Sequence, residues 1–112
     1  MRAERKPHPW TLPRAFPRYV LDVRVTVKAD QTLHGRTKDI AEGGIGATIP
    51  GDINTGQTVE IELHLPEISE PLAVRAEVKY RRGFQYGFQF QNATDQQREM
   101  IRRSAHALPL AP

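Results

Sequence analysis

The chain has 112 residues, a formal net charge of +3 and no cysteine, which fits one domain with a core just large enough to fold alone. The absence of cysteine excludes disulfide bonds, thiolate catalysis and cysteine-ligated zinc sites. No apolar run approaches the roughly 20 residues needed to cross a bilayer, and the basic N-terminus lacks the apolar stretch of a signal peptide. We therefore expect a cytoplasmic protein that does not insert into membranes.

The first predicted segment, residues 1–18, is an extended and flexible N-terminal arm. It contains four of the nine prolines, and proline both removes a backbone donor and biases the preceding residue toward extended geometry. The arm carries five basic side chains and one acidic one, a net charge of +4, whereas the rest of the chain sums to −1. Its natural partner is therefore a small anion or an acidic surface.

Residues 19–92 show the period-two alternation of apolar and polar side chains that is typical of strands with one face in a core and the other in water. The alternation and the turn signals between stretches predict strands at 23–28, 32–40, 44–49, 59–65, 72–80 and 84–91. Within them, Tyr80 and the aromatic residues of 84–90 are expected in the core. Six short strands without intervening helices indicate an all-β antiparallel barrel or sandwich.

Residues 93–112 are predicted to form a C-terminal helix and tail. Thr94 and Gln97 have the spacing of a capping box, and apolar residues recur at helical intervals up to Leu108, after which Pro109 ends the helix. The apolar stripe is narrow, so the helix is expected to lie either against the barrel or against a second copy of the chain in a homodimer.

The residues that indicate a function are two arginines, one aspartate and two glycines. Arg14 and Arg18 are four positions apart in the arm, and a guanidinium binds phosphate bidentately or contacts the O6/N7 edge of guanine. The carboxylate of Asp39 can accept two bonds from the N1–H and N2–H₂ edge of guanine. Gly43 and Gly44 let the backbone approach a ligand closely and can adopt positive φ. Together they predict a site for a guanine nucleotide with accessible phosphates.

At these positions the chain resembles the PilZ domain family of bacterial receptors for the second messenger cyclic di-GMP. The family pattern begins with RxxxR near the N-terminus, which Arg14 and Arg18 match, and continues with [D/N]xSxxG, which Asp39 and Gly44 match. The spacing between the motifs and the order of the strands fit the family as well, and the likeness covers about residues 13–108.

The resemblance implies a six-stranded antiparallel PilZ-like β-barrel with a C-terminal helix, and an arm that folds over the mouth of the barrel when cyclic di-GMP binds. It implies that Arg14 and Arg18 hold phosphate and guanine, and that Asp39 and Gly44 hold a guanine from the barrel side. It also implies a receptor rather than an enzyme, without a cofactor or a metal, which signals through an unidentified effector protein.

One position departs from the family pattern, because Ala41 replaces the motif serine. The missing hydroxyl corresponds to one neutral hydrogen bond, worth about 0.5–1.5 kcal/mol, so the affinity for the nucleotide is expected to fall roughly 2- to 13-fold. Water or the backbone of Gly43 could fill the gap. Binding is expected to survive in weakened form, since the charged contacts are stronger.

Other interpretations of the sequence stay open. A degenerate PilZ-like adaptor would bind a protein partner but not the nucleotide, and Ala41 favours this hypothesis. The near-neutral charge of residues 19–112 argues against a nucleic-acid-binding barrel. Arg36 and Lys38, beside Asp39, either face the same mouth or are exposed strand charges. The four histidines are scattered without metal-ligand spacing, and no phosphate loop or nucleophile–base arrangement supports catalysis.

Overall fold

The computed structural model describes residues 16–112, which form seven β-strands and one α-helix. In chain order these are β1 (Tyr19–Val20), β2 (Arg24–Lys28), β3 (Thr32–Ala41), β4 (Gly44–Thr48), β5 (Thr58–His64), β6 (Pro71–Arg82), β7 (Gln85–Phe90) and α1 (Asp95–Ala105). The six strands that the alternation predicts are present as β2 to β7, and β1 is an additional short strand. Of the predicted arm, only residues 16–18 lie within the described part of the chain.

Strands β2 to β7 form a closed antiparallel barrel. Their order around the barrel is β3, β2, β5, β6, β7 and β4, and β4 pairs back with β3. Closure gives each of these strands two hydrogen-bonded neighbours and removes the free edges of an open sheet. The predicted six-stranded antiparallel barrel with a C-terminal helix is therefore confirmed. Strand β1 lies outside the ring and pairs with the end of β3, where Tyr19 is opposite Ile40 and Val20 is opposite Asp39.

The barrel interior is filled by the apolar side chains of the alternating positions. In β5, for example, Val59, Ile61 and Leu63 are buried, whereas Glu60 and His64 between and beyond them are exposed. All six barrel strands contribute buried side chains to one core, among them Val25, Ile40, Ile45, Ile61, Val74 and Phe88. Each such side chain contributes about 1.5–3 kcal/mol when it leaves water, so the core provides a rigid scaffold for the outer face.

The predicted burial of the aromatic residues of 84–90 is correct for Tyr86 and Phe88, correct in part for Phe90, which is half-buried against the core, and wrong for Phe84. Phe84 is 52% exposed, because it lies in the turn between β6 and β7 and not in β7 itself. Gly83, the other turn residue, has a φ of 63°, a left-handed conformation that glycine adopts without a steric penalty. The hairpin therefore reverses one residue later than the alternation predicts.

Helix α1 begins as predicted and ends earlier. The hydroxyl of Thr94 accepts a hydrogen bond from the Gln97 amide at 3.0 Å, and the Gln97 side chain accepts one from the Thr94 amide at 3.0 Å. This reciprocal pair is the predicted capping box. The chain then tightens into hydrogen bonds between residues three apart, as is common at helix ends, and the helix ends at Ala105 instead of Leu108.

Helix α1 packs against the barrel, which is one of the two placements predicted for its narrow apolar stripe. Met100 and Ile101 belong to the same buried core as the strands. The hydroxyl of Ser104 donates to the carbonyl of Pro66 at 3.1 Å, in the connection between β5 and β6. The helix thus uses its apolar face within the chain, and a homodimer stays a prediction.

After α1 the chain returns to its N-terminal segment. In the tail, defined as residues 109–112, the carbonyl of Pro109 accepts a hydrogen bond from the Val20 amide, and the Ala111 amide donates to the carbonyl of Arg18, both at 2.8 Å. The residues around β1 are therefore hydrogen-bonded to β3 on one side and to the tail on the other. The sequence pattern did not predict this second anchor.

Candidate functional site

A β-bulge at Lys38 decides which way Asp39 faces. Thr37 lies opposite Ala47 and Asp39 lies opposite Gly46, so Lys38 is an extra residue in β3. Residues opposite each other in a ladder share a face of the sheet, and Ala47 belongs to the core. Strict alternation from Thr37 would point Asp39 inward. The bulge instead places Asp39 on the outer face beside Gly46.

On this outer face Asp39 forms an ion pair with Arg18. The Nη2 of Arg18 donates to Oδ2 of Asp39 at 2.7 Å, and the Gly46 amide donates to Oδ1 at 3.0 Å. The side chains of the ion pair are only 9% and 11% exposed, and charge-assisted bonds of this kind are among the stronger hydrogen bonds in proteins. Arg18 reaches Asp39 because β1, which starts at the next residue, places Val20 opposite Asp39.

Ala41, Gly43 and Gly44 form the hairpin between β3 and β4, next to this ion pair. Ala41 ends β3 and lies opposite Gly44, the first residue of β4, and both are buried. Neither glycine has a positive φ, so the left-handed backbone that the sequence would allow is not used here. Gly43 does allow a close approach: a Cβ atom at this position would lie 3.3 Å from the ring of Phe16.

The structure thus brings five of the six predicted site residues to one corner of the outer surface, namely Arg18, Asp39, Ala41, Gly43 and Gly44. The sixth, Arg14, lies outside the described residues, and its part in the site stays a prediction. The corner combines a desolvated ion pair with a hairpin whose small residues leave the backbone accessible to close neighbours.

A row of residues on the outer face runs from Asp39 to a tyrosine that the sequence pattern assigns to the core. Asp39 on β3 is opposite Gly46 on β4. Gly46 is opposite Gly87 on β7, and Gly87 is opposite Tyr80 on β6. A second bulge, at Lys79, shifts Tyr80 out of the core alternation, so its predicted core position is wrong. Gly46 and Gly87 therefore form a stretch of sheet without side chains between the carboxylate of Asp39 and the ring of Tyr80.

The site hairpin is tied to α1 by an ion pair that the sequence analysis did not predict. Arg102 contacts Glu42 in the hairpin at 2.9 Å and Glu99 on its own helix at 3.0 Å. The hydrogen bond with Glu99, helped by the charge of Glu42, raises the pKa of Arg102. The contact joins residues 60 positions apart, a separation over which the sequence carries no local signal.

Arg36 and Lys38 are exposed strand charges, which is one of the two alternatives that the sequence left open. The Nε of Arg36 donates to Oδ1 of Asp22 at 2.6 Å, and these side chains are 57% and 72% exposed. Arg36 therefore belongs to a second ion pair, separate from that of Arg18 and Asp39.

Residues 16–112 contain neither a metal-binding cluster nor a membrane-spanning helix. No group of three or more histidine, cysteine, aspartate or glutamate residues in this part of the chain is placed to hold a metal ion. No helix in it is both long enough and apolar enough to cross a membrane.

The family model of the PilZ domain matches residues 13–107. This range includes both sequence motifs, all strands of the barrel and helix α1. The chain therefore belongs to the PilZ domain family, and the resemblance seen in the sequence is confirmed. No curated protein sequence matches the chain.

Solved structures share the fold at low sequence identity. The PilZ domain with cyclic di-GMP of YcgR from Escherichia coli is 18% identical, with a TM-score of 0.71 over 86% of this chain and 91% of that one. The PilZ domain of CeSA from a cellulose-synthesizing bacterium is 22% identical, with a TM-score of 0.62 over 80% and 94%. The Bacillus subtilis inhibitor of motility MotI/DgrA is 15% identical, with a TM-score of 0.70 over 84% of this chain and 52% of that protein.

Proposed function

We propose that the protein is a receptor for cyclic di-GMP, which binds on the outer face of the barrel at the ion pair of Arg18 and Asp39. The observation that carries the proposal is the 2.7 Å contact between these residues, which come from two separate motifs of the PilZ family and meet beside Ala41 and Gly44. The E. coli YcgR domain, which has the same fold, was solved with cyclic di-GMP. In this proposal Arg14 adds a phosphate contact from the arm.

In the proposed mechanism, binding exchanges the partners of Arg18 and Asp39. Without nucleotide, the carboxylate of Asp39 accepts hydrogen bonds from Arg18 and from the Gly46 amide. A guanine offers the carboxylate its N1–H and N2–H₂ donors, and the phosphates of the messenger offer the guanidinium a bidentate acceptor. The exchange leaves neither charge buried without a partner, a state that would be unfavourable by several kcal/mol.

The exchange also suggests how binding would reach a partner protein. Arg18 is the last residue of the arm, and its backbone carbonyl is held by the Ala111 amide. A change at this site would therefore move the Arg18 side chain and the residues before it, and leave β1 in place. We expect residues 1–18 to change conformation on binding, with ligand energy offsetting the ordering entropy, and to present a new surface to an effector protein.

The glycine row beside Asp39 offers a place for the purine rings. Gly46 and Gly87 carry no side chain, but both are buried, so a flat base must first displace the atoms that cover them before it approaches the backbone closely. Tyr80, at the far end of the row, provides an aromatic face on which a base can stack, and such stacking is worth about 1–3 kcal/mol. The proposed site thus includes Tyr80 in addition to the motif residues.

The experiment that tests the proposal is a calorimetric titration of the full chain with cyclic di-GMP. Arg18→Ala is expected to weaken binding at least about tenfold, since it removes a charged contact. Arg36→Ala is the matched control, because it removes an arginine that is paired with Asp22 on the same outer surface, and it should change the affinity less than about twofold. Absence of heat with the unaltered chain up to about 0.5 mM, or equal losses in both variants, would refute the proposal.

A gain-of-affinity variant guards against loss of binding through misfolding. Ala41→Ser restores the motif hydroxyl and is expected to strengthen binding by roughly 2- to 13-fold.

For the stacking role, Tyr80→Ala is expected to weaken binding at least about fivefold. Its control is Phe84→Ala, at an exposed aromatic side chain in the turn before β7, which should leave the affinity unchanged. Equal effects of these two substitutions would remove Tyr80 from the site.

A second candidate function is a protein-interaction adaptor that does not bind the nucleotide. Two observations favour it: Ala41 lacks the motif hydroxyl, and each carboxylate oxygen of Asp39 already accepts a hydrogen bond within the chain. An adaptor of this kind would give no heat with cyclic di-GMP and would capture its partner equally well with and without the messenger. A receptor would capture it differently in the two conditions.

A further inference from the structure

An open groove of about 870 Å³ crosses the outer face of β2 and β3 and reaches the end of β4. Its lining carries three cationic side chains, Arg24, Arg36 and Lys38, and one anionic side chain, Asp22. We call it the basic groove and define it by these three cations. All three are exposed, and Lys38 is the bulged residue of β3, with no residue opposite it in β4.

The arrangement of charge in the basic groove is locally unfavourable. Arg24 lies directly opposite Arg36 in the ladder between β2 and β3, and like charges at opposed positions destabilise a sheet. Asp22 neutralises only Arg36, through the 2.6 Å contact. Within residues 16–112, neither Arg24 nor Lys38 forms an ion pair. An added carboxylate would therefore relieve the repulsion and find donors that the fold leaves available.

We propose that the basic groove docks an acidic segment of a partner protein, whose carboxylates bind Arg24 and Lys38 and cover the outward side of Arg36. The proposal does not depend on nucleotide binding, since it uses none of the motif residues. Charge complementarity identifies the partner's chemistry. The groove is open rather than enclosed, so it suits an extended peptide, whose alternate side chains contact successive cations, better than a single small ion.

The limited extent of the positive surface favours a short acidic peptide over a nucleic acid. On β5, which pairs with the other edge of β2, Glu62 lies opposite Thr26 and Glu60 lies opposite Lys28. Neighbouring strands are about 4.8 Å apart, and β5 is the strand directly beside β2. The positive region therefore ends at the first strand beyond the one that carries Arg24. A nucleic acid binds through a long row of phosphate contacts and would meet these glutamates.

The test measures the fluorescence anisotropy of a labelled poly-glutamate peptide with the full chain in the absence of nucleotide. The unaltered chain is expected to bind the peptide at low salt and to release it as salt rises. The double variant Arg24→Glu with Lys38→Glu should bind at least about tenfold more weakly. The control double variant Arg103→Glu with Lys79→Glu makes the same change in residue types and net charge at exposed positions on α1 and β6, and should stay within about twofold.

A stability measurement separates docking from damage to the fold. Arg24→Glu turns a repulsive cross-strand pair with Arg36 into an attractive one, so the groove variant should unfold at the same or a higher urea concentration while it loses the peptide. Equal loss of peptide by both double variants, or absence of binding by the unaltered chain, would overturn the proposal. So would a single-stranded oligonucleotide that binds more tightly than the peptide through Arg24 and Lys38.

Discussion

The segment from Arg18 to Asp22 is joined to β3 by two ion pairs of opposite polarity that differ in how much water reaches them. At one end Arg18 donates to Asp39 at 2.7 Å, and at the other end Asp22 accepts from Arg36 at 2.6 Å. The charged atoms are equally close in both pairs. The first pair is almost completely buried, whereas the side chains of the second are more than half exposed. Solvent, and not distance, distinguishes them.

The difference in burial follows from the surroundings of each pair. Asp39 also accepts the Gly46 amide, and the backbone next to Arg18 is bonded to both β3 and the tail. Asp22 and Arg36 instead line an open groove. Removing one partner of a buried pair typically destabilises by about 3–5 kcal/mol, because the other charge is left uncompensated, whereas an exposed pair contributes about 0–1 kcal/mol. A ligand at the buried pair must therefore replace a strong interaction, and a ligand at the exposed pair need not.

The largest expected effect is on the free energy of unfolding when each carboxylate is removed in turn. Asp39→Ala should destabilise the protein by about 3 kcal/mol, because the guanidinium of Arg18 loses its buried counter-ion. Asp22→Ala should destabilise it by less than about 0.5 kcal/mol, because its partner is already solvated. Urea unfolding followed by circular dichroism measures both values, with the slope of the transition checked for constancy.

Asp39→Asn serves as the matched control for this comparison. The asparagine side-chain oxygen can still accept the Gly46 amide, whereas its NH2 group replaces the oxygen that accepts from Arg18. The Gly46 hydrogen bond is kept and the ion pair is lost, so the destabilisation should fall between those of Asp39→Ala and the unaltered chain. If Asp39→Ala and Asp22→Ala were equally mild, the buried pair would have no special weight, and the proposed exchange of partners on nucleotide binding would lose its energetic basis.

The barrel and the meeting of Arg18 with Asp39 were both predictable from the sequence. Alternation identified the strands because each barrel strand buries one face, and the two motifs predicted that residues 21 positions apart would share a site. The orientation of Asp39 was only partly encoded. Leu33, Thr37 and Ile40 occupy core-facing positions, and the odd spacing from Thr37 to Ile40 is a phase break that signals a bulge.

Other parts of the site depend on contacts between distant segments and could not be predicted. Tyr80 moves to the outer row only because of the register of β6 with β7, which no local pattern fixes. The ion pair of Glu42 with Arg102 requires the packing of α1 on the barrel. The opposition of Arg24 and Arg36 likewise appears only once the pairing of β2 with β3 is known, because each residue by itself reads as an ordinary exposed strand charge.

A smaller effect is expected from removing the tail that anchors the buried end of the segment. Deletion of residues 109–112 removes the bonds between Val20 and Pro109 and between Ala111 and Arg18, which should lower the stability by about 1–2 kcal/mol. Hydrogen exchange of the Val20 amide should accelerate, because its acceptor is lost. Deletion of Pro112 alone leaves both bonds intact and is the control. Unchanged exchange at Val20 after the longer deletion would show that β3 alone fixes this segment.

The smallest expected effect is a difference in how the two ion pairs respond to salt. Between about 0.1 M and about 1 M salt the Debye length falls from about 10 Å to about 3 Å, and screening acts mainly on exposed charges. The small destabilisation of Asp22→Ala should therefore vanish at high salt, while that of Asp39→Ala should change by less than about 0.5 kcal/mol. Urea unfolding of both variants and of the unaltered chain at the two salt concentrations gives these differences. If salt halved the effect of Asp39→Ala, water and ions would reach that pair as well, and burial could not be what sets the two ends of the segment apart.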